Sequence, residues 1–150
     1  MGAGPAWWFY QIEGVDLSVA LAPLLEKSLE RGWSVGILSP NSARLAELDG
    51  ALWTQEPGGF LPHGLTQPED QPIFLSDDFS TLKDRDGIIL LDGADWTDPA
   101  VRVSRLMVMF DAHDVDVRVS ARDQYKRAKD AGLEVAFYVY RPGEGWSKQA

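Results

Sequence analysis

At 150 residues and 45% hydrophobic content, the chain is long enough to bury one core and too short for two comfortable ones, so residues 1–150 are read as a single domain. A net charge of −9 opposes phosphate backbones, which sets direct nucleic-acid binding aside and points to protein partners. The absence of cysteine excludes a disulfide framework and thiolate chemistry. No apolar run reaches the roughly 18 to 20 residues of a membrane span, so a cytoplasmic protein is expected.

In chain order, the aromatic run AWWFYQI at residues 6–12 predicts a first strand, closed by Glu13 and Gly14. Leu17, Leu21, Leu24, Leu25 and Leu29 then recur at helical spacing up to Gly32, with Pro23 expected to kink this helix or delay its start. Residues 34–39 predict a buried strand. Pro40 and Asn41 open a second helix with Leu45, Leu48 and Leu52 on one side. Residues 54–71 are rich in Pro and Gly without a period and predict a long loop. Strands follow at residues 72–76 and 87–93, separated by an acidic stretch read as a solvated connection, and again at 105–110. A helix at residues 117–132 and a sixth strand at 134–141 close the pattern. Continuous apolar strands alternating with helices predict a three-layer α/β/α sandwich, its mixed sheet of about six strands largely parallel, with antiparallel members late in the chain.

The last helix carries the functional signal, because residues 117–132 hold five of the fourteen Lys and Arg residues of an acidic chain. At about 100° per residue, Arg118, Arg122, Lys126 and Lys129 share one face, and Tyr125 borders it. Val117, Ala121 and Ala128 form a narrow apolar seam, Asp123 and Asp130 project away, and Arg127 is placed to pair with Asp123 at i,i+4. Complementing the helix dipole accounts for Lys126, Arg127 and Lys129, which lie late in the helix. It does not account for Arg118 and Arg122 in the first half, where positive charge is unfavourable. An uncompensated stripe beside an aromatic ring calls for an external anion that carries something apolar.

Leu48, Ala51, Leu52 and Trp53, then Phe60, Pro62 and His63, and finally Arg122, Tyr125 and Lys126 in an R-x-x-Y-K pattern together resemble the chi subunit of the bacterial DNA polymerase III clamp-loader complex. The similarity spans nearly the whole chain. It implies a non-enzymatic α/β adaptor that binds the C-terminal tail of single-stranded-DNA-binding protein, a run of aspartates ending in Pro-Phe and a free carboxylate, and that also binds the psi subunit. Carried onto this sequence, it implies that Arg122 and Lys126 hold acidic groups of the tail while Tyr125 lines the site; Arg118 joins them from the stripe. It implies a psi interface around Trp53 and Phe60, although Trp53 also continues the Leu45, Leu48, Leu52 face of its helix. The chain departs from the expected pattern after its fifth strand, where Asp111 and Ala112 stand in place of an apolar wall.

The competing reading is a nucleotide-binding or hydrolytic α/β enzyme using the crevice at the carboxyl ends of the strands, near Ser39, Ser76 and Asp92. The chain has no G-x-x-x-x-G-K-[ST] phosphate loop and no G-x-S-x-G elbow, and Asp92 reads as a strand-terminating turn. His63 and His113, the two histidines, lie in different segments and predict no metal pair. No cofactor is expected.

Overall fold

The computed structural model describes residues 5–54, 63–64, 72–82, 85–96 and 103–149. Their strands are β1 (Ala6–Ile12), β2 (Val35–Leu38), β3 (His63–Gly64), β4 (Ile73–Ser76), β5 (Gly87–Leu90), β6 (Arg105–Asp111), β7 (Val135–Arg141) and β8 (Gly145–Lys148). The helices are α1 (Leu17–Glu30), α2 (Ser42–Thr54) and α3 (Val115–Asp130). One sheet joins all eight strands in the order β3-β4-β2-β5-β6-β1-β7-β8. Every pairing is parallel except β7 with β8, which is antiparallel.

Chain direction decides which face each connection covers. The steps from β1 to β2 and from β2 to β3 run one way across the sheet, whereas those from β4 to β5, β5 to β6 and β6 to β7 run the other way. Right-handed crossovers must then place α1 and α2 on one face and α3 on the opposite face. The core divides accordingly. Tyr10 and Ile12 of β1 pack with Leu21 and Leu25 of α1 and Leu45 and Leu48 of α2. Trp7 and Phe9, the alternate residues of the same strand, pack with Leu82, Trp96 and the α3 residues Ala121 and Ala128. The interior strands β2 and β5 are buried at every position, as parallel strands covered on both faces require.

The α/β sandwich matches the expectation from sequence, while the strand count rises from about six to eight. Strand β8 was missed because its GWSK sequence follows the turn at residues 142–144 and has only four residues. The two-residue β3 falls inside the segment expected to be loop; the rest of residues 55–71 lies outside the described residues. Pro23 neither breaks α1 nor delays its start, for the helix runs through it from Leu17. Its ring is on the exposed side, above Val19, whose carbonyl loses its helical donor where water is near. The second helix begins as read, with the Asn41 side chain accepting from the Arg44 backbone N–H at 3.1 Å.

The acidic connection after β4 is not simply solvated. It forms a 3-10 turn (Phe79–Leu82) that inserts Leu82, fully buried, over the sheet. Glycine at position 36 makes room for it, since a Cβ there would lie 2.8 Å from Leu82 Cδ2 and 3.0 Å from Ile88 Cδ1. Gly36→Ala should therefore lower stability by about 1 kcal/mol or more, overpacking outweighing the entropic gain of replacing glycine. Urea unfolding checks this, and an unchanged midpoint would show that Leu82 does not seat there.

Candidate functional site

Helix α3 lies across β6, β1 and β7. Asp114 caps its start by accepting from the Val117 N–H at 3.3 Å, so the helix begins two residues before the expected position. Ala121 and Ala128 sit on the sheet as the sequence suggests, and Val117 packs at the edge of the same cluster. Gln124 is a buried member that the apolar pattern did not reveal. Its side-chain amide donates to the Ala94 carbonyl at 3.0 Å and to Asp95 Oδ1 at 3.1 Å.

The flank of α3 nearer β5 is thereby fixed. Arg127 does not pair with Asp123 as expected but donates to Asp95 Oδ1 at 2.7 Å, with its guanidinium above the Trp7 ring. A tertiary carboxylate that also receives Gln124 and the Trp96 backbone N–H offers more hydrogen bonds than a solvated i,i+4 neighbour.

The opposite flank overhangs β7. Tyr125 packs edge-on against Phe9 at 5.4 Å and Phe137 at 6.1 Å between ring centroids. Phe137 in turn meets Phe110. Lys129 Nζ sits 5.9 Å from the Tyr125 ring centre. Beyond them Arg122 and Lys126 are exposed, with no hydrogen bond or ion pair among the described residues. Arg118, half-buried, turns back toward the β6–α3 turn and reaches the Ala112 carbonyl at 3.5 Å, a weak contact. The helix thus holds Arg118, Arg122, Tyr125 and Lys126 on adjoining turns, with Arg118 least available.

Three further residues join this face. Phe137 supplies the apolar floor, and strand alternation in VAFYVYR, which sets it on the face of Val135, is the signal that could have found it. Val115 and Val119 are 58% and 51% exposed, and at about 60° and 100° from Arg118 they continue the cationic stripe. Asp111, the apparent intruder, is turned away from it. Its carboxylate accepts from the His113 backbone N–H at 2.8 Å and lines a crevice at the ends of the strands. The side chain of Trp53 and all of Phe60 lie outside the described residues.

That strand-end crevice encloses about 160 Å³ and carries the carboxylates of Asp16, Asp92, Asp111 and Asp114. Asp92, Asp111 and Asp114 each accept hydrogen bonds from within the protein. Arg44 grips Asp92 through Nε at 3.2 Å and Nη2 at 3.1 Å, and Ser39 Oγ donates to Asp92 Oδ2 at 2.7 Å. Asp92 adopts φ 55°, the turn conformation expected of it. Ser76 is engaged elsewhere, accepting from the Asp78 N–H and from the Thr81 hydroxyl. Phosphate would meet carboxylates here, and the cation at hand is already bound. His113 is exposed, and no group of three metal-ligating side chains occurs among the described residues.

These features define a doubly wound α/β protein with an acidic crevice at its strand ends and an open cationic strip on one helix. Residues 5–136 match the family model described as DNA polymerase III chi subunit, HolC, and the chain belongs to that family. It is similar to the DNA polymerase III subunit chi of Pseudomonas aeruginosa, at 29% identity over 130 residues, covering 83% of this chain and 89% of that protein. Family membership makes the chain a replication accessory subunit of DNA polymerase III. No helix among the described residues is long and apolar enough to cross a membrane.

Asp95 makes the seating of α3 sensitive to acid. Burial acts to raise its pKa, but the bonds from Arg127, the Trp96 N–H and Gln124 outweigh it and hold the carboxyl below its ordinary value. A depressed carboxyl contributes stability that is complete above its ordinary pKa of about 4 and is lost as the pH falls through the folded value. Asp95→Asn should therefore show a smaller loss of stability on acidification than the wild type. Urea titrations at neutral and acid pH compare the two, and parallel losses would remove Asp95 from the account.

Proposed function

We propose that the chain is a cytoplasmic, single-domain, non-catalytic adaptor that binds the acidic C-terminal tail of single-stranded-DNA-binding protein along the exposed flank of α3. In this reading Arg122 and Lys126 take the carboxylates, Tyr125 and Phe137 receive the terminal aromatic side chain, and Arg118 supports from the first turn. The observation that carries the reading is that Arg122 and Lys126 of this acidic protein, on the helix that packs Tyr125 against Phe137, have no carboxylate partner among the described residues. Charge-assisted bonds from guanidinium to carboxylate are strong, and the distant acidic surface is screened beyond about 8 to 10 Å. The exposed valines Val115 and Val119 suit a ligand that is both acidic and apolar. A psi subunit docking around Trp53 and Phe60 would tie this tail-binding protein to the clamp loader; that part rests on the family resemblance.

Arg122→Ala and Lys126→Ala should each weaken binding of an aspartate-rich peptide ending in Pro-Phe by about 1 to 3 kcal/mol, because each leaves a carboxylate short of its donor. Fluorescence anisotropy with a labelled peptide measures this, and wild-type affinity in both variants would refute the assignment. Raising the ionic strength should weaken the complex, whereas an isotherm indifferent to salt would indicate an apolar site elsewhere.

A further inference from the structure

On the face of the sheet opposite α3, a cavity of about 510 Å³ opens between the C-terminal half of α1 and strands β1, β6, β7 and β8. Its walls are aromatic, comprising Trp8, Tyr10, Trp33, Tyr138 and Trp146. Tyr10 stacks on Tyr138 at 5.3 Å and meets Trp146 edge-on at the same distance. The charges in the wall are Lys27, Arg31 and Arg105 against Glu30, an excess of two positive charges in a chain of net −9.

Arg105 is the anomaly. Its guanidinium lies 3.6 Å from the ring centre of Trp8 and 5.1 Å from that of Trp33, half-buried between them. Among the described residues it has no hydrogen-bond acceptor and no ion pair. Glu134, the nearby carboxylate, accepts instead from Trp8 Nε1 at 3.1 Å. Burial lowers the pKa of Arg105, so its charge is held at a cost that the flanking rings offset only in part. Arg31 repeats the arrangement at the rim, 5.6 Å from the Trp33 ring centre. The phenols of Tyr10 and Tyr138 add donors with no hydrogen-bond partner among the described residues.

We propose that this cavity binds a planar anion, a flat aromatic ring bearing a phosphate, with a free mononucleotide as its occupant. The rings offer stacking surfaces, and the volume lies within the range of about 300 to 1,000 Å³ usual for small-ligand sites. A phosphate monoester carries close to two negative charges at neutral pH, which the three cations of the wall can receive. The −9 of the whole chain opposes a long polyanion, which favours one nucleotide over a strand. This site is distinct from the strand-end crevice, which is acidic, and from the flank of α3, which lies across the sheet.

Tryptophan fluorescence is the natural readout, since Trp8, Trp33 and Trp146 all line the cavity. Adenosine monophosphate should quench it saturably, and adenosine or inorganic phosphate alone should bind at least about tenfold more weakly, as each lacks one half of the recognition. Arg105→Met and the exposed-site variant Arg31→Gln should each weaken the nucleotide about tenfold, with thermal unfolding of Arg31→Gln unchanged. Absence of saturable quenching at millimolar nucleotide, or wild-type affinity in both variants, overturns the proposal. Tighter binding of a thymidine oligonucleotide than of the monophosphate overturns it in favour of a strand. Binding of the aspartate-rich peptide should be untouched by Arg105→Met; its loss would reassign the cavity to the peptide and overturn the nucleotide.

Discussion

A parallel sheet must be covered on both faces, and among the described residues three α-helices, with Leu82 and Trp96 beside α3, do that work for eight strands. Because the direction of each crossover fixes the side it covers, α3 lies opposite α1 and α2, where it spans β6, β1 and β7. Its alanine seam lets it lie close to the sheet. The same closeness sends the longer side chains on its outer flank over β7, where Phe137 remains half-buried. The cationic strip is therefore a product of how the sheet is covered as much as of the residues themselves.

Much of this was legible in the sequence because it depends on local pattern. Leucines at helical spacing located α1 and α2, continuous apolar runs located β2 and β5, and the wheel of α3 separated seam from stripe. What escaped depends on contacts between distant segments. Leu82 sits in a stretch whose acidic composition conceals one deeply buried anchor, and only the space left by Gly36 explains its position. Gln124 and Arg127 share Asp95, roughly thirty residues away, and no helical periodicity contains that information. Arg105 opens β6, and no local pattern shows that Trp8 and Trp33 come together around it.

The distribution of charge shows a division of labour between the two faces and the strand ends. At the carboxyl ends of the strands, where many folds of this class hold nucleotides, Asp92 holds Arg44 beside three further aspartates. Cations without acceptors lie instead on the outer flank of α3 and in the aromatic cavity across the sheet. The overall field of an acidic chain opposes non-specific polyanions, whereas a cluster of cations acts only within about 8 to 10 Å of itself.

The clamp of Gln124 and Arg127 on Asp95 bears on the rotation of α3 about its own axis. The small alanines of the seam interdigitate little, leaving Val117 and Tyr125 to resist rolling from one flank, and a roll of about 20° would sweep groups at the rim of the helix, some 5 to 6 Å from the axis, through roughly 2 Å. Such a displacement is enough to spoil a bidentate grip. The carboxylate on the β5 side therefore works as a torsional pin, and through it Gln124 and Arg127 help to set where the side chains on the β7 side point.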